Sequence, residues 1–314
     1  MKITPAALLF DMDGTLTDAR QQITDDVVAA LRSVPPAIRK YLVTGSDINK
    51  IEEQIPTDIL LSLFERVYSC NGTRVYNCNL DMDDETQPVM PDLIHKVSLT
   101  DYYSEADINH IVNVLLRTAF ETHTKIKTGT FVEWRDSQIN FSVVGRNCTS
   151  SQREDYVKWD KKSGERQKIV DNLREEFQGW GLSFRLGGQI SIDITREGWD
   201  KSYSFKHMNE SPDQCVFFGD KICKDGNDLD IAMKCGIYHN VEGPADLILL
   251  VGILLALLLP GGTLMFIVWL KSRHAEKQRE LLKTINIKGK STLKKLKKEQ
   301  YRYMLNKRSR KENK

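Results

Sequence analysis

The chain has 314 residues, 40% hydrophobic and 28% charged. These are the proportions of an ordinary globular protein with room for one large or two medium domains, and they exclude a disordered polymer or a small disulfide scaffold. The net charge of +2 hides an asymmetry: from residue 271 onward 17 Lys and Arg face 4 Asp and Glu, whereas residues 1–270 hold 28 basic and 39 acidic groups.

An apolar stretch, Ala6-Ala7-Leu8-Leu9, predicts a buried first strand that runs straight into Phe10-Asp11-Met12-Asp13-Gly14-Thr15-Leu16-Thr17. Helical spacing follows over 24–33, a second strand over 39–43 entering Thr44-Gly45-Ser46-Asp47, a helix over 47–54 and a strand near 67–69. Strand and helix alternate here, which predicts a Rossmann-like parallel sheet with helices on both faces.

The pattern changes near residue 82. A helix over 104–120, strands over 131–134 and 139–144, a long charged helix over 151–178 and strands over 182–186 and 189–194 predict an inserted α+β domain with an antiparallel sheet. Alternation resumes after Trp199, with a helix over 201–208, a strand over 215–218 that ends in Gly219-Asp220-Lys221, and a short strand at 237–238. The expected division is therefore core 1–82, cap 83–197, core again 198–246, an apolar segment 247–270 and a basic tail 271–314. The apolar segment carries no charged residue over 24 positions, long enough to cross a bilayer as a helix, although Pro260-Gly261-Gly262 would also allow a hairpin. Six cysteines, none in a Cys-x-x-Cys pair, point to reduced thiols and give no zinc motif.

Chemistry gathers at the carboxyl ends of parallel strands. Asp11 and Asp13, two apart in extended chain, can face one phosphorus together, one attacking while the other moves a proton. The second strand end offers Thr44 and Ser46, and the last offers Asp220 with Asp228 a loop away. Carboxylates from distant points of the chain suit a hard cation such as Mg²⁺, and Lys201 adds a fixed positive charge.

These four clusters, in this order, resemble the motifs of the haloacid dehalogenase superfamily of phosphotransferases. Asp11-x-Asp13-Gly-Thr matches the first motif, Thr44 or Ser46 the second, Lys201 the third and Gly219-Asp220 the fourth. The resemblance implies that Asp11 is a phosphorylated nucleophile and Asp13 a general acid/base lending its carbonyl to Mg²⁺, with Asp220 and Asp228 as further metal ligands. Within that superfamily residues 6–246 resemble the eukaryotic phosphomannomutases, on Gly129-Thr130-Phe131-Val132-Glu133-Trp134-Arg135, Val144-Gly145-Arg146-Asn147-Cys148, Gly187-Gly188-Gln189-Ile190-Ser191-Ile192-Asp193 and Gly198-Trp199-Asp200-Lys201. That resemblance implies that Arg20, Arg135, Arg146, Arg153, Ser191 and Asp193 hold phosphate and sugar hydroxyls, and that Thr44, Ser46 and Lys201 bind the reacting phosphate. It also implies activation by a hexose 1,6-bisphosphate, a homodimer formed through the cap, and a product that supplies GDP-mannose synthesis.

The chain departs from the family pattern in a threonine at 44, a shortened loop over 229–235 and an apolar segment where a last amphipathic helix is usual. The expected function is interconversion of mannose 6-phosphate and mannose 1-phosphate by a cytosolic catalytic body, membrane-associated through 247–270, with no nucleic-acid partner. The alternatives are a sugar-phosphate phosphatase, a glucose-preferring mutase and a catalytically weak membrane-anchored relative.

Overall fold

The computed structural model describes residues 5–79, 90–224 and 226–258. Strand β1 (Ala7–Phe10) is buried along its whole length, as a strand covered on both faces must be. Fully burying each of Leu8, Leu9 and Phe10 contributes roughly 1.5–3 kcal/mol. Helix α1 (Asp25–Arg32) turns Val27, Val28 and Leu31 inward. It is followed by β2 (Arg39–Val43), α2 (Ile48–Gln54), α3 (Thr57–Leu63), β3 (Arg66–Ser69), β4 (Arg74–Asn77) and β5 (Asp92–Lys96). The apolar spacing that marks α1 and α2 is present in α3 as well, where Leu60 and Leu63 are buried.

Strand β5 lies inside the stretch expected to begin the cap at 83. It pairs antiparallel with β4, and β4 with β3, so both belong to the core sheet. Its residues are largely exposed, as an edge strand permits, and carry little of the apolar signal that identified the others.

The inserted part holds α4 (Glu105–Glu121), β6 (Val132–Trp134), β7 (Gln138–Phe141), α5 (Ser150–Ser163), α6 (Glu165–Glu176), β8 (Leu182–Gly187) and β9 (Ser191–Arg196). The single long helix expected over 151–178 is two helices. Gly164 between them adopts φ 65°, a left-handed conformation that ends α5. The chain then returns through a 3₁₀ segment, Lys201–His207, where an α-helix was expected. There Asp200 accepts the Ser202 N–H at 2.8 Å and the Ser204 hydroxyl donates to the Lys201 carbonyl at 2.7 Å, bonds that hold the tighter turn. The last elements are β10 (Cys215–Gly219), α7 (Leu229–Ala232), β11 (Ile237–Asn240) and α8 (Pro244–Leu258).

Two sheets result. The core sheet has the order β11-β10-β1-β2-β3-β4-β5, parallel from β11 to β3. Connections leave β1 in opposite directions, placing its carboxyl end at the switch point where α/β sheets bind ligands. The cap sheet, β6-β7-β9-β8, is antiparallel throughout. Its apolar face (Ile139, Phe141, Phe184, Ile192, Ile194) packs with Ile111, Leu115, Tyr156, Ile169, Val170 and Leu173 of α4, α5 and α6.

The expected membrane span over 247–270 is not met among the described residues, where no helix is long and apolar enough to cross a membrane. Helix α8 begins at Pro244 and buries Leu247, Ile248 and Val251, so the front of the apolar run belongs to a buried element. The chain divides into two compact units after Val251. Residues 259–270 and the basic tail lie outside the described residues.

His95 on β5 packs against His207, ring centroids 3.9 Å apart and planes tilted by 31°, and neither Nε2 has a hydrogen-bond partner. Burial lowers both imidazole pKa values, and His95, Lys206 and Arg66 lower His207 further. A lowered folded-state pKa contributes stability above the unfolded value of about 6.5 and loses it as pH falls through the folded one. The urea midpoint should therefore drop as pH falls below about 6.5, and His95→Phe should flatten that slope in a pH series of urea melts.

Candidate active site

Asp11 follows β1 directly, and its backbone N–H donates to the Phe218 carbonyl of β10 at 2.9 Å, which sets it level with Gly219 and Asp220. Lys201, fully buried, donates from Nζ to Asp11 Oδ1 and to Asp228 Oδ1, the latter at 2.5 Å. The Lys221 N–H donates to the other Asp228 oxygen at 3.0 Å. Asp11, Asp220 and Asp228 each bring a carboxylate oxygen within 4.8 Å of the others. Two glycines make this crowding possible. A Cβ on Gly14, at φ +85°, would lie 2.5 Å from Asp220 Oδ2, and one on Gly219 would lie 2.6 Å from Asp228 Oδ2.

Three carboxylates around one ammonium leave an excess of negative charge. Burial pushes the Asp11 pKa up to about 7 against the pull of Lys201, with Asp228 pushing it further, and burial also raises Asp220. Asp220 Oδ1 is buried without a hydrogen-bond partner. An orphaned buried acceptor beside two other carboxylate oxygens fits a hard divalent cation.

Asp13 sits differently. Burial alone would raise it, but Lys50 donates to its Oδ2 at 3.1 Å and brings its pKa below the usual value. Lys50 also donates to Ser46 Oγ at 3.1 Å, whereas Thr44 Oγ1 accepts the Ser46 N–H at 3.2 Å. Of the two hydroxyls at the second strand end, that of Ser46 is therefore the one linked to Asp13. Lys50 was not singled out from sequence. Its signal is a lysine one turn into a helix capped by Asp47, which accepts its N–H at 2.9 Å. Arg20, φ 64°, reaches Asp13 Oδ1 through its backbone N–H at 3.4 Å, while the residue itself is exposed.

The cap contributes the polar face of its sheet. Register aligns Glu133, Asn140, Asp193 and Arg185 in one row across β6, β7, β9 and β8, with Gln138, Thr195 and Ser183 in the next. Asn140 donates to Asp193 Oδ1 at 2.6 Å and Arg146 donates to Asn140 Oδ1 at 3.1 Å. Arg135 and Arg146 both reach Glu133 Oε2, the first from Nε at 2.9 Å and the second at 3.2 Å. Burial, then the charges of Arg135 and Arg153, depress the Arg146 pKa, while Glu133 and Asp193 oppose them. Arg135 and Arg146 thus lie beside Asp193, whose carboxyl is raised by burial, and Arg153 acts on Arg146 through its charge. Ser191 is buried at the start of β9, where its carbonyl accepts Arg166 at 3.1 Å, and Arg166 is itself anchored on Asp160 at 2.7 Å. Sequence reading assigned no role to Arg166 or Glu133.

Core and cap meet at a cavity of about 110 Å³ lined by Gly45, Asn71, Gln138, Asp193, Trp199 and Lys201, among others. It therefore joins the base of the polar sheet face to the lysine that holds Asp11. Removing that lysine leaves two buried carboxylates without their cation. Lys201→Met should destabilise the fold by about 3 kcal/mol in urea melts without added metal.

A family model described as eukaryotic phosphomannomutase matches residues 26–256. A probable phosphomannomutase of Caenorhabditis elegans is 40% identical over 247 residues, covering 76% of this chain and 91% of that one. A phosphomannomutase of Galdieria sulphuraria is 37% identical over 246 residues, covering 78% and 92%. Among solved structures, the IMP-bound, N-terminally truncated IMP-nucleotidase of Plasmodium falciparum superposes with TM-score 0.52 at 13% identity over 79% of this chain and 67% of that one, a likeness of fold alone. The two-part architecture, the carboxylate cluster and the relatives agree, and the chain belongs to the eukaryotic phosphomannomutase family.

Proposed function

We propose that the protein is a phosphomannomutase that interconverts mannose 6-phosphate and mannose 1-phosphate through an aspartyl-phosphate on Asp11 and a hexose bisphosphate intermediate. The observation that carries this reading is the pairing of a carboxylate nucleophile site in the core with a separate guanidinium cluster on the cap. A phosphatase needs one phosphate cradle, whereas a mutase must grip the far phosphate while the near one reacts.

Asp11 attacks phosphorus of the priming bisphosphate, forming an acyl phosphate as the P–O bond to the sugar breaks and the leaving sugar oxygen takes a proton from Asp13, which is left ionised. The free hydroxyl of the substrate then attacks that phosphorus, the bond to Asp11 breaks, and the hydroxyl proton passes to Asp13. Asp13, held ionised by Lys50, is ready to accept it. Ser46 and Lys201 bind the reacting phosphate, with Thr44 ordering the loop through the Ser46 N–H. Arg135, Arg146 and Arg153 hold the distant phosphate, Ser191 and Asp193 hold sugar hydroxyls, and Arg20, exposed beside Asp13, meets the substrate at the core side. Mg²⁺ fits the set Asp11, Asp220 and Asp228, with the Asp13 carbonyl as a further ligand. When bound it offsets the repulsion between an anionic nucleophile and an anionic phosphate.

Hexose 1,6-bisphosphate is then both intermediate and activator. Sugar phosphates place the catalytic body in the cytosol. Leu116 and Phe120, four apart on α4 and 45% and 85% exposed, give the cap an apolar face suited to a second copy.

Asp11→Asn should abolish turnover of mannose 1-phosphate, and EDTA should do the same reversibly. Product isomer and free phosphate, measured in one reaction, test the reading. Isomer in excess is expected, and phosphate released without isomer would make the protein a sugar phosphatase.

A further inference from the structure

Among the described residues, ion pairs tie cap and core at two places. Beside the segment that leads into the cap, Arg74 and Lys96 pair with Asp136 of the β6–β7 turn, whose carbonyl also accepts the Leu99 N–H at 2.9 Å. The sheet order puts β8 at the opposite edge from β6. There Arg185 reaches over to the core, donating from its guanidinium to Asp230 Oδ2 on α7 at 2.6 Å. The first tie sits at the hinge and can persist through a rotation, whereas the second must break whenever the cap lifts.

Arg185 shares its row with Asp193 and lines the cavity between the two parts. That cavity, about 110 Å³, is well below the roughly 300 Å³ of the smallest ordinary ligand pockets. A hexose carrying two phosphates cannot turn end over end in it, so the cleft must open between the two half-reactions. With side chains 44% and 37% exposed, the Arg185–Asp230 pair is weak enough to open repeatedly.

We propose that Arg185 and Asp230 form a clasp that holds the cap on the core and sets the balance between isomerisation and loss of the phosphoryl group to water. The proposal rests on the mutase reading above. While the clasp is closed, only the sugar hydroxyl can reach phospho-Asp11. When it is open too often, water attacks the same phosphorus. The P–O bond to Asp11 then breaks as the bond to water forms, the proton passes to Asp13, and inorganic phosphate leaves. Arg185 and Asp230 are thus positioning residues, acting through the cap and not on the substrate.

The test uses the full-length Mg²⁺-loaded enzyme, Arg185→Gln, Asp230→Asn, the double variant and the charge swap R185D/D230R. Isomer and free phosphate are measured together, and the opening of the molecule is followed by small-angle scattering. Each single variant should raise the phosphate-to-isomer ratio about three-fold and increase the radius of gyration. The double variant should do no more than either single, and the swap should return toward wild type. An unchanged ratio in both singles would overturn the clasp, as would a rise in KM with Arg185→Gln alone, which would make Arg185 a substrate contact. A wild-type enzyme that forms no isomer would refute the mutase reading instead. Scattering would then still decide the clasp, since unchanged profiles in both singles would sink it whatever the reaction.

Discussion

The structure depends on one buried ammonium. Lys201 lies in no contact with solvent, between the carboxylates of Asp11 and Asp228. Taking three such charges out of water costs several kcal/mol per ion, and only close mutual pairing offsets it. That pairing joins three remote parts of the chain: the end of β1, the loop before α7, and the first residue of the 3₁₀ segment by which the chain returns from the cap. The segment that returns from the cap is thereby fastened to Asp11 through the Lys201 side chain. Lys201 does not balance all the nearby carboxylates: the part-exposed Lys221 stands 3.6 Å from Asp220 Oδ2, and the unpartnered Asp220 Oδ1 marks where a metal fits.

The core supplies negative charge and the cap supplies positive charge. Strand alternation in the cap sheet sends Ile139, Phe141, Ile192 and Ile194 to the helices and Asn140, Ser191 and Asp193 to the opposite face. Arg135 and Arg146 then gather around Asp193 and Glu133. Burial, and after it the charges of Arg135 and Arg153, depress the Arg146 pKa, and Glu133 and Asp193 only partly offset them. A bound anion would relieve that repulsion, which is why the cap cluster suits the distant phosphate in the proposed reaction. The two carboxylates that follow β1 are set differently: Lys50 lowers the Asp13 pKa while burial raises that of Asp11.

Motion follows from these same contacts. A cleft of this size leaves little room for water beside a bound sugar phosphate, yet it also denies a bisphosphate room to turn. The cap must therefore be neither fixed nor free. Its hinge side carries the Arg74, Lys96 and Asp136 network, and its far side carries one solvent-exposed pair.

The alternation of apolar runs and turns determined the parallel part of the core sheet, the strands of the cap sheet and the placing of Asp11 and Asp220 at strand ends, because strand period and charged strand ends are local properties of the sequence. The arginines of the cap were legible through motif resemblance, since β7 and β9 carry their polar face in plain alternation. What sequence could not determine arises from partners distant in the chain. Strand β5 is an exposed edge with little apolar signal, β4 is four residues long and marked only by buried Val75 and Tyr76, and the break at Gly164 depends on a single left-handed residue. The front of the apolar segment is buried in α8, where hydropathy alone described a membrane span. Asp228 as the second partner of Lys201, Lys50 as the holder of Asp13, and Arg185 reaching Asp230 were all decided by tertiary structure. Each is a pairing of charges whose strength depends on separation and burial, and neither quantity exists until the chain has folded.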